Sequence, residues 1–219
     1  MIFFDYVLPS DHSGGISVLW CNKSIHASVL LKEQRAIHML LYDPVCPQMS
    51  VVSGIYAPAQ VHQKPSFWTH PKDLNGVMDS PWCLIGDFNE LEHANDKRGG
   101  RILSPSHFDK INSFQNGIHG SSVKCIGSPF TWKKRLHMHL IYERLDRAII
   151  REDWGQLYPH TYITHGCFTC SDHCPIILTT DSRVDRPKAH PFRYQNFWSQ
   201  YPESTKRIRN SWQTAVYGT

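Results

Sequence analysis

The sequence predicts a mixed α and β fold built around sheet layers, and three observations carry that prediction. Short apolar runs broken by proline and glycine recur along the chain, as in ISVLWC (16–21), SVVSGIYAP (50–58) and SPWCLIGDFN (80–89), and each reads as a strand. One stretch, SPSHFDKINSFQNGIHG (104–120), instead carries Phe108, Ile111, Phe114 and Ile118 at near-helical spacing. The two kinds of segment alternate irregularly, with hairpin-like pairs late in the chain, which argues against a regular doubly wound sheet.

Taken in order, Gly14-Gly15 introduces the first strand. Between the second and third strands, KPSFWTHPKDLNGVMDS (64–80) reads as a helix with Ser66 as N-cap and Phe67, Leu74, Val77 and Met78 on its apolar side, shortened or kinked by Pro71. A basic glycine turn, KRGGR (97–101), leads to the amphipathic helix, where Ser106 and Asp109 stand in capping-box register. Beyond it, PFTW (129–132), RLDRAII (144–150), TYITH (161–165) and CPIILTT (174–180) read as strands, and REDWGQLY (151–158) as a short helix between two of them.

At 219 residues the chain is long enough for one domain with a substantial core and too short for two. No apolar stretch approaches the ~20 residues of a membrane helix, and the N-terminus lacks the basic start of a secretion signal, so an intracellular protein without a membrane partner is expected. Seven scattered cysteines, an odd number, argue against a disulfide framework. Residues 1–182 carry 16 Lys+Arg against 17 Asp+Glu, whereas 183–219 carry 7 against 2, so the net charge of +4 resides in the tail. From about Thr180 the chain reads as a basic, aromatic linker entering a new helical segment, suited to nucleic acid or to solvent alike.

The chemistry-bearing residues sit at the ends of the predicted strands. Asp87 and Asn89 are two apart, so they share one face of a strand end; they suit a metal and a phosphate, or a turn. Asp172-His173 precedes a strand, and Asp146 lies in an apolar strand where a carboxylate needs a partner; His173 is the natural one. Tyr56 ends a strand before a Pro turn, within reach of a cleft rim. HGCFTCSDHC (165–174) has one C-x2-C spacing without a second ligand pair at finger spacing, a weak zinc signal.

In order, Y-x-P, G-D-F-N, P-F-T-W, R-L-D-R-A and S-D-H resemble the endonuclease/exonuclease/phosphatase superfamily. SGGISVLW, GDFNE, RGGR, FTW, RLDRAI and SDHCPI further resemble the endonuclease domain of plant non-LTR (LINE-type) retrotransposon polyproteins. The tail segment HPFRYQNFW is similar to the connection toward their reverse transcriptase. The resemblance implies an α+β, two-sheet α/β sandwich over 1–182, with 183–219 as a basic linker toward a reverse transcriptase region. It implies metal-dependent hydrolysis of DNA phosphodiesters by a monomer, in the nucleus if functional. Asp87 would orient or deprotonate the water and Asn89 would hold the water or the phosphate. His173, oriented by Asp146, and Tyr56 would contact the phosphate, and Asp172 would bind Mg2+, with Mn2+ as a substitute. The segment before Ser13 lacks the Asn- and Glu-bearing strands of the superfamily. The resemblance therefore also implies a sandwich short of its first strands, an exposed apolar face near ISVLW, and impaired activity. The alternatives are a catalytically silent, weakly nucleic-acid-binding fragment and a phosphatase of the same fold.

Overall fold

The computed structural model describes residues 2–9, 14–21, 25–44, 47–64, 67–68, 75, 78–136, 139–180 and 202–213. The helix expected over 64–80 lies largely outside the described residues, and of the linker expected over 183–219 only 202–213 is described. The chain divides into two compact units, Met1–Ser182 and Arg183–Thr219. In the second, helix Pro202–Gln213 is described, bearing Lys206, Arg207 and Arg209.

The first unit contains the strands β1 (Ile2–Val7), β2 (Ile16–Cys21), β3 (His26–Glu33), β4 (Ala36–Tyr42), β5 (Met49–Tyr56), β6 (Trp82–Asp87) and β7 (Lys97–Arg98), then helix α1 (Asp109–Gly117). It continues with β8 (Gly120–Ser122), β9 (Cys125–Ile126), β10 (Trp132–Leu136), β11 (His139–Glu143), β12 (Asp146–Arg151), helix α2 (Glu152–Leu157), β13 (Tyr162–His165) and β14 (Ile176–Thr179). A six-stranded sheet of order β3-β4-β5-β6-β12-β8 forms the centre, flanked by a sheet β14-β13-β9, a rim sheet β10-β11-β7 and the hairpin β1-β2.

Strand alternation explains why the central sheet is covered on both faces. On β6, Trp82 and Leu84 point to a core shared with Trp68, Ile111, Phe114 and Ile118, whereas Cys83 points the other way, to Ile163, Trp154 and Val123. β12 divides likewise, Ile149 to the first core and Ala148 to the second. The result is the expected α/β sandwich, with α1 on one side and β13 on the other.

Helix α1 starts later than the capping register suggests. Ser106 lies inside a 3-10 turn (Pro105–His107), Phe108 occupies the N-cap, and no side chain caps the helix. The β1-β2 hairpin, whose first strand was not foreseen, alternates half-buried and exposed residues. Ile2, Phe4 and Leu19 stand out at 70–72% exposure on its outer face.

One glycine is dictated by close approach. Gly86 has φ +142°, and a Cβ there meets the carbonyl oxygen of Ile55 on the neighbouring strand at 2.1 Å. Gly86→Ala is therefore expected to destabilise the domain by at least ~2 kcal/mol, read by urea unfolding, because the obstacle is backbone rather than a movable side chain. A loss below ~0.5 kcal/mol would show that β5 and β6 can separate freely.

Candidate active site

Three of the sequence-predicted residues form one row across adjacent strands. Parallel pairing of β5 with β6 sets Tyr56 beside Asp87, and antiparallel pairing of β6 with β12 sets Asp87 beside Asp146. Directly opposed carboxylates repel. Burial pushes the Asp87 carboxyl up to about 6, with the negative charge of Asp146 as the second cause. Asp146 is itself compensated, since His173 Nδ1–H donates to its Oδ2 at 2.8 Å. That bond raises the His173 pKa against the opposing effect of burial.

The loop after β6 shapes the rest. Asn89 adopts the left-handed conformation at φ +48°, which asparagine tolerates better than most residues. Its backbone N–H donates to Asp87 Oδ1 at 2.9 Å, and its Nδ2 donates to Asp87 Oδ2 at 2.9 Å and to Ala57 O at 2.8 Å. Both amide hydrogens are thus spent on acceptors that cannot donate, so the side chain presents only its Oδ1 to a ligand. This narrows the expectation that Asn89 holds water or phosphate: an acceptor suits a water and repels a phosphate oxygen.

The strands β10 and β14 bring in the remaining pair. Trp132 forms an isolated bridge with His173, and its indole Nε1–H donates to Asp172 Oδ2 at 3.0 Å. Thr131, fully buried, accepts from the backbone N–H groups of Leu145 and Asp146 at 3.0 and 2.9 Å, which locks the start of β12. Tyr56, Asp87, Asn89, Asp146, Asp172 and His173 all line one open cleft of about 770 Å³, together with Lys64 and Trp132. Lys64 was not foreseen in the sequence.

Behind the cleft, a buried cation ties the loop to β12. Arg147 has no exposed surface. It donates to Glu92 Oε2 at 2.8 Å, Asp96 Oδ2 at 3.3 Å and the carbonyl of Glu90 at 3.1 Å.

The donors do not fit a resident, protein-caged metal. Asp172 accepts from Trp132 and Ser171, Asp146 from His173, and Asp87 from Asn89. Among the described residues no group of three His, Cys, Asp or Glu side chains is placed to hold an ion. Cys167 and Cys170 are free and exposed. Among the described residues no helix is long and apolar enough to cross a membrane.

A scan of family models finds no match to the sequence, and a search of curated proteins finds none either. Solved structures are similar in fold. The endonuclease domain of TRAS1, a telomere-specific non-LTR retrotransposon, superposes with TM-score 0.64 at 10% identity, covering 84% of this chain and 81% of that one. The AP endonuclease LMAP from Leishmania major gives 0.58 at 15% identity, covering 80% and 69%. A 3′ phosphatase, NExo, from Neisseria, solved with a product DNA hairpin, gives 0.57 at 12% identity, covering 82% and 79%.

Proposed function

On a fold of the endonuclease/exonuclease/phosphatase type, we propose that this cleft hydrolyses phosphodiester bonds and that its substrate is DNA. The observation that carries the reading is the juxtaposition of Asp87 and Asn89 with the His173–Asp146 pair around one open space. Asp87, with its raised pKa, is the general base for the attacking water. Asn89 Oδ1 accepts one of that water's hydrogens and aims its lone pair. His173, with Nδ1 committed to Asp146, has Nε2–H left to donate to a phosphate oxygen in its protonated form. Tyr56 contributes a second donor at the rim.

The open form of the cleft favours a polymer over a small ester, and Lys133, Lys134 and Arg135 on β10 lead away from it as phosphate contacts. Any magnesium would arrive with the substrate phosphates, since these side chains do not cage one and Mg2+ commonly keeps most of its waters. With so thin a donor set, hydrolysis by the chain alone is expected to be slow. The test is nicking of supercoiled plasmid against phosphate release from small esters, with Mg2+, Mn2+ or chelator. Nicking supports the reading. Phosphate release alone points to a phosphatase of this fold, and salt-sensitive DNA binding without cleavage points to a silent binding module.

The pH dependence follows from the same groups. Hydrolysis needs Asp87 ionised and His173 protonated, so the rate should rise through about pH 6 and fall above the ordinary histidine range. A profile flat between pH 5 and 9, followed in single-turnover assays, would remove both groups from the chemistry.

A further inference from the structure

We propose that Lys64 is a positioning residue for the attacking water, acting through Asn89; the inference rests on the hydrolytic reading of the cleft. Lys64 follows a short 3-10 turn (Val61–Gln63) and has 11% of its side chain exposed, at the wall of the cleft. Its Nζ donates to the backbone carbonyl of Asn89 at 2.7 Å and lies 3.1 Å from Glu90 Oε1.

The two contacts differ in kind. Glu90 Oε1 is buried and has no hydrogen-bond partner, so the approach of Lys64 to it is a contact of charges, off the direction of a bond. The shorter, hydrogen-bonded contact is the one to the Asn89 carbonyl. The ammonium carries three N–H groups, so the ion pair with Glu90 leaves a donor for the Asn89 carbonyl; Lys110, 3.8 Å from Glu90 Oε1, offers that carboxylate a second positive charge.

Asn89 is therefore held on both sides of its Cα. Asp87 takes its N–H and Lys64 takes its C=O, across a backbone conformation that is costly for a residue with a side chain. Releasing the carbonyl frees the peptide to relax toward ordinary φ, and that rotation swings the amide oxygen off the water. Small displacements of this sort cost rate without costing affinity.

The experiment separates the positional role from the ionic one. Lys64→Met leaves Glu90 with less compensation, so it is paired with Glu90→Gln, which removes the charge that needs compensating. The double variant should bind a fluorescent DNA duplex as wild type does and cleave it about tenfold to a hundredfold more slowly in single turnover, whereas Glu90→Gln alone and Lys64→Arg keep the rate. Independently of cleavage, hydrogen exchange at the Asn89 backbone and side-chain amides, followed by 15N NMR, should quicken in the double variant and not in Glu90→Gln. A double variant that cleaves at the wild-type rate, or whose Asn89 amide protons exchange as in wild type, overturns the proposal. If wild type cleaves no DNA, the hydrolytic reading fails, and the exchange measurement still decides whether Lys64 holds Asn89.

Discussion

Asp87→Asn should abolish hydrolysis and stabilise the folded domain at neutral pH. Loss of a general base costs about 10²–10⁴-fold in rate, and the amide cannot replace it. The stability gain comes from the raised pKa. With a folded value of about 6 against an ordinary 3.8, the folded state binds the proton more readily than the unfolded chain. The ionised carboxylate therefore costs stability progressively as pH rises between those values. A shift of that size corresponds to roughly 3 kcal/mol at pH 7. Part is offset, because an amide at position 87 meets the Asn89 amide donor-to-donor and forfeits a bond of about 1 kcal/mol. A net gain of about 1–2 kcal/mol at pH 7, vanishing near pH 4, is expected from urea titrations. His173 acts in the same direction: its raised pKa gives stability that is complete below the ordinary histidine value and lost as pH rises through the folded one. A variant that loses activity and stability together at pH 7 would make Asp87 a structural residue.

Arg147→Met should be among the most damaging substitutions in the domain, at about 3–5 kcal/mol. Methionine fills most of the volume, so the cost is electrostatic: Glu92 and Asp96, each under a tenth exposed, lose the buried cation that faces them, and the Glu90 carbonyl loses a donor. For a domain of this size that corresponds to a melting-temperature drop of about 10 °C. Adding Glu92→Gln should recover part of the loss, because it removes one of the stranded charges. A drop of 1–2 °C would show that water enters and solvates the acids.

The positions that could be read from the sequence are those where a polar residue interrupts an apolar run. GDFN, RLDRA and SDH each place an ionisable group at the end of a strand whose burial is evident from its neighbours. The cleft they line is assembled by ladder pairing between those same strands. Lys64 escaped because its role depends on a backbone carbonyl 25 positions away, which no local pattern reports. Arg147 carries a signal of its own: an arginine between Asp146 and the run Ala148-Ile149-Ile150 is buried, and a buried guanidinium demands acids, which Glu92 and Asp96 in the stretch just after GDFNE supply. Strands β3 and β4 were missed for a different reason. Their connecting turn, Gln34-Arg35, contains no glycine, proline, asparagine or aspartate.

The row formed by Tyr56, Asp87 and Asp146 gives the domain a reading frame of its own. Side chains on a strand alternate with period two, so one residue inserted or deleted within β5, β6 or β12 turns a site residue into the core and a core residue into the cleft. Length variation in descendants of this chain should therefore collect in the loops and leave these three strands uncut.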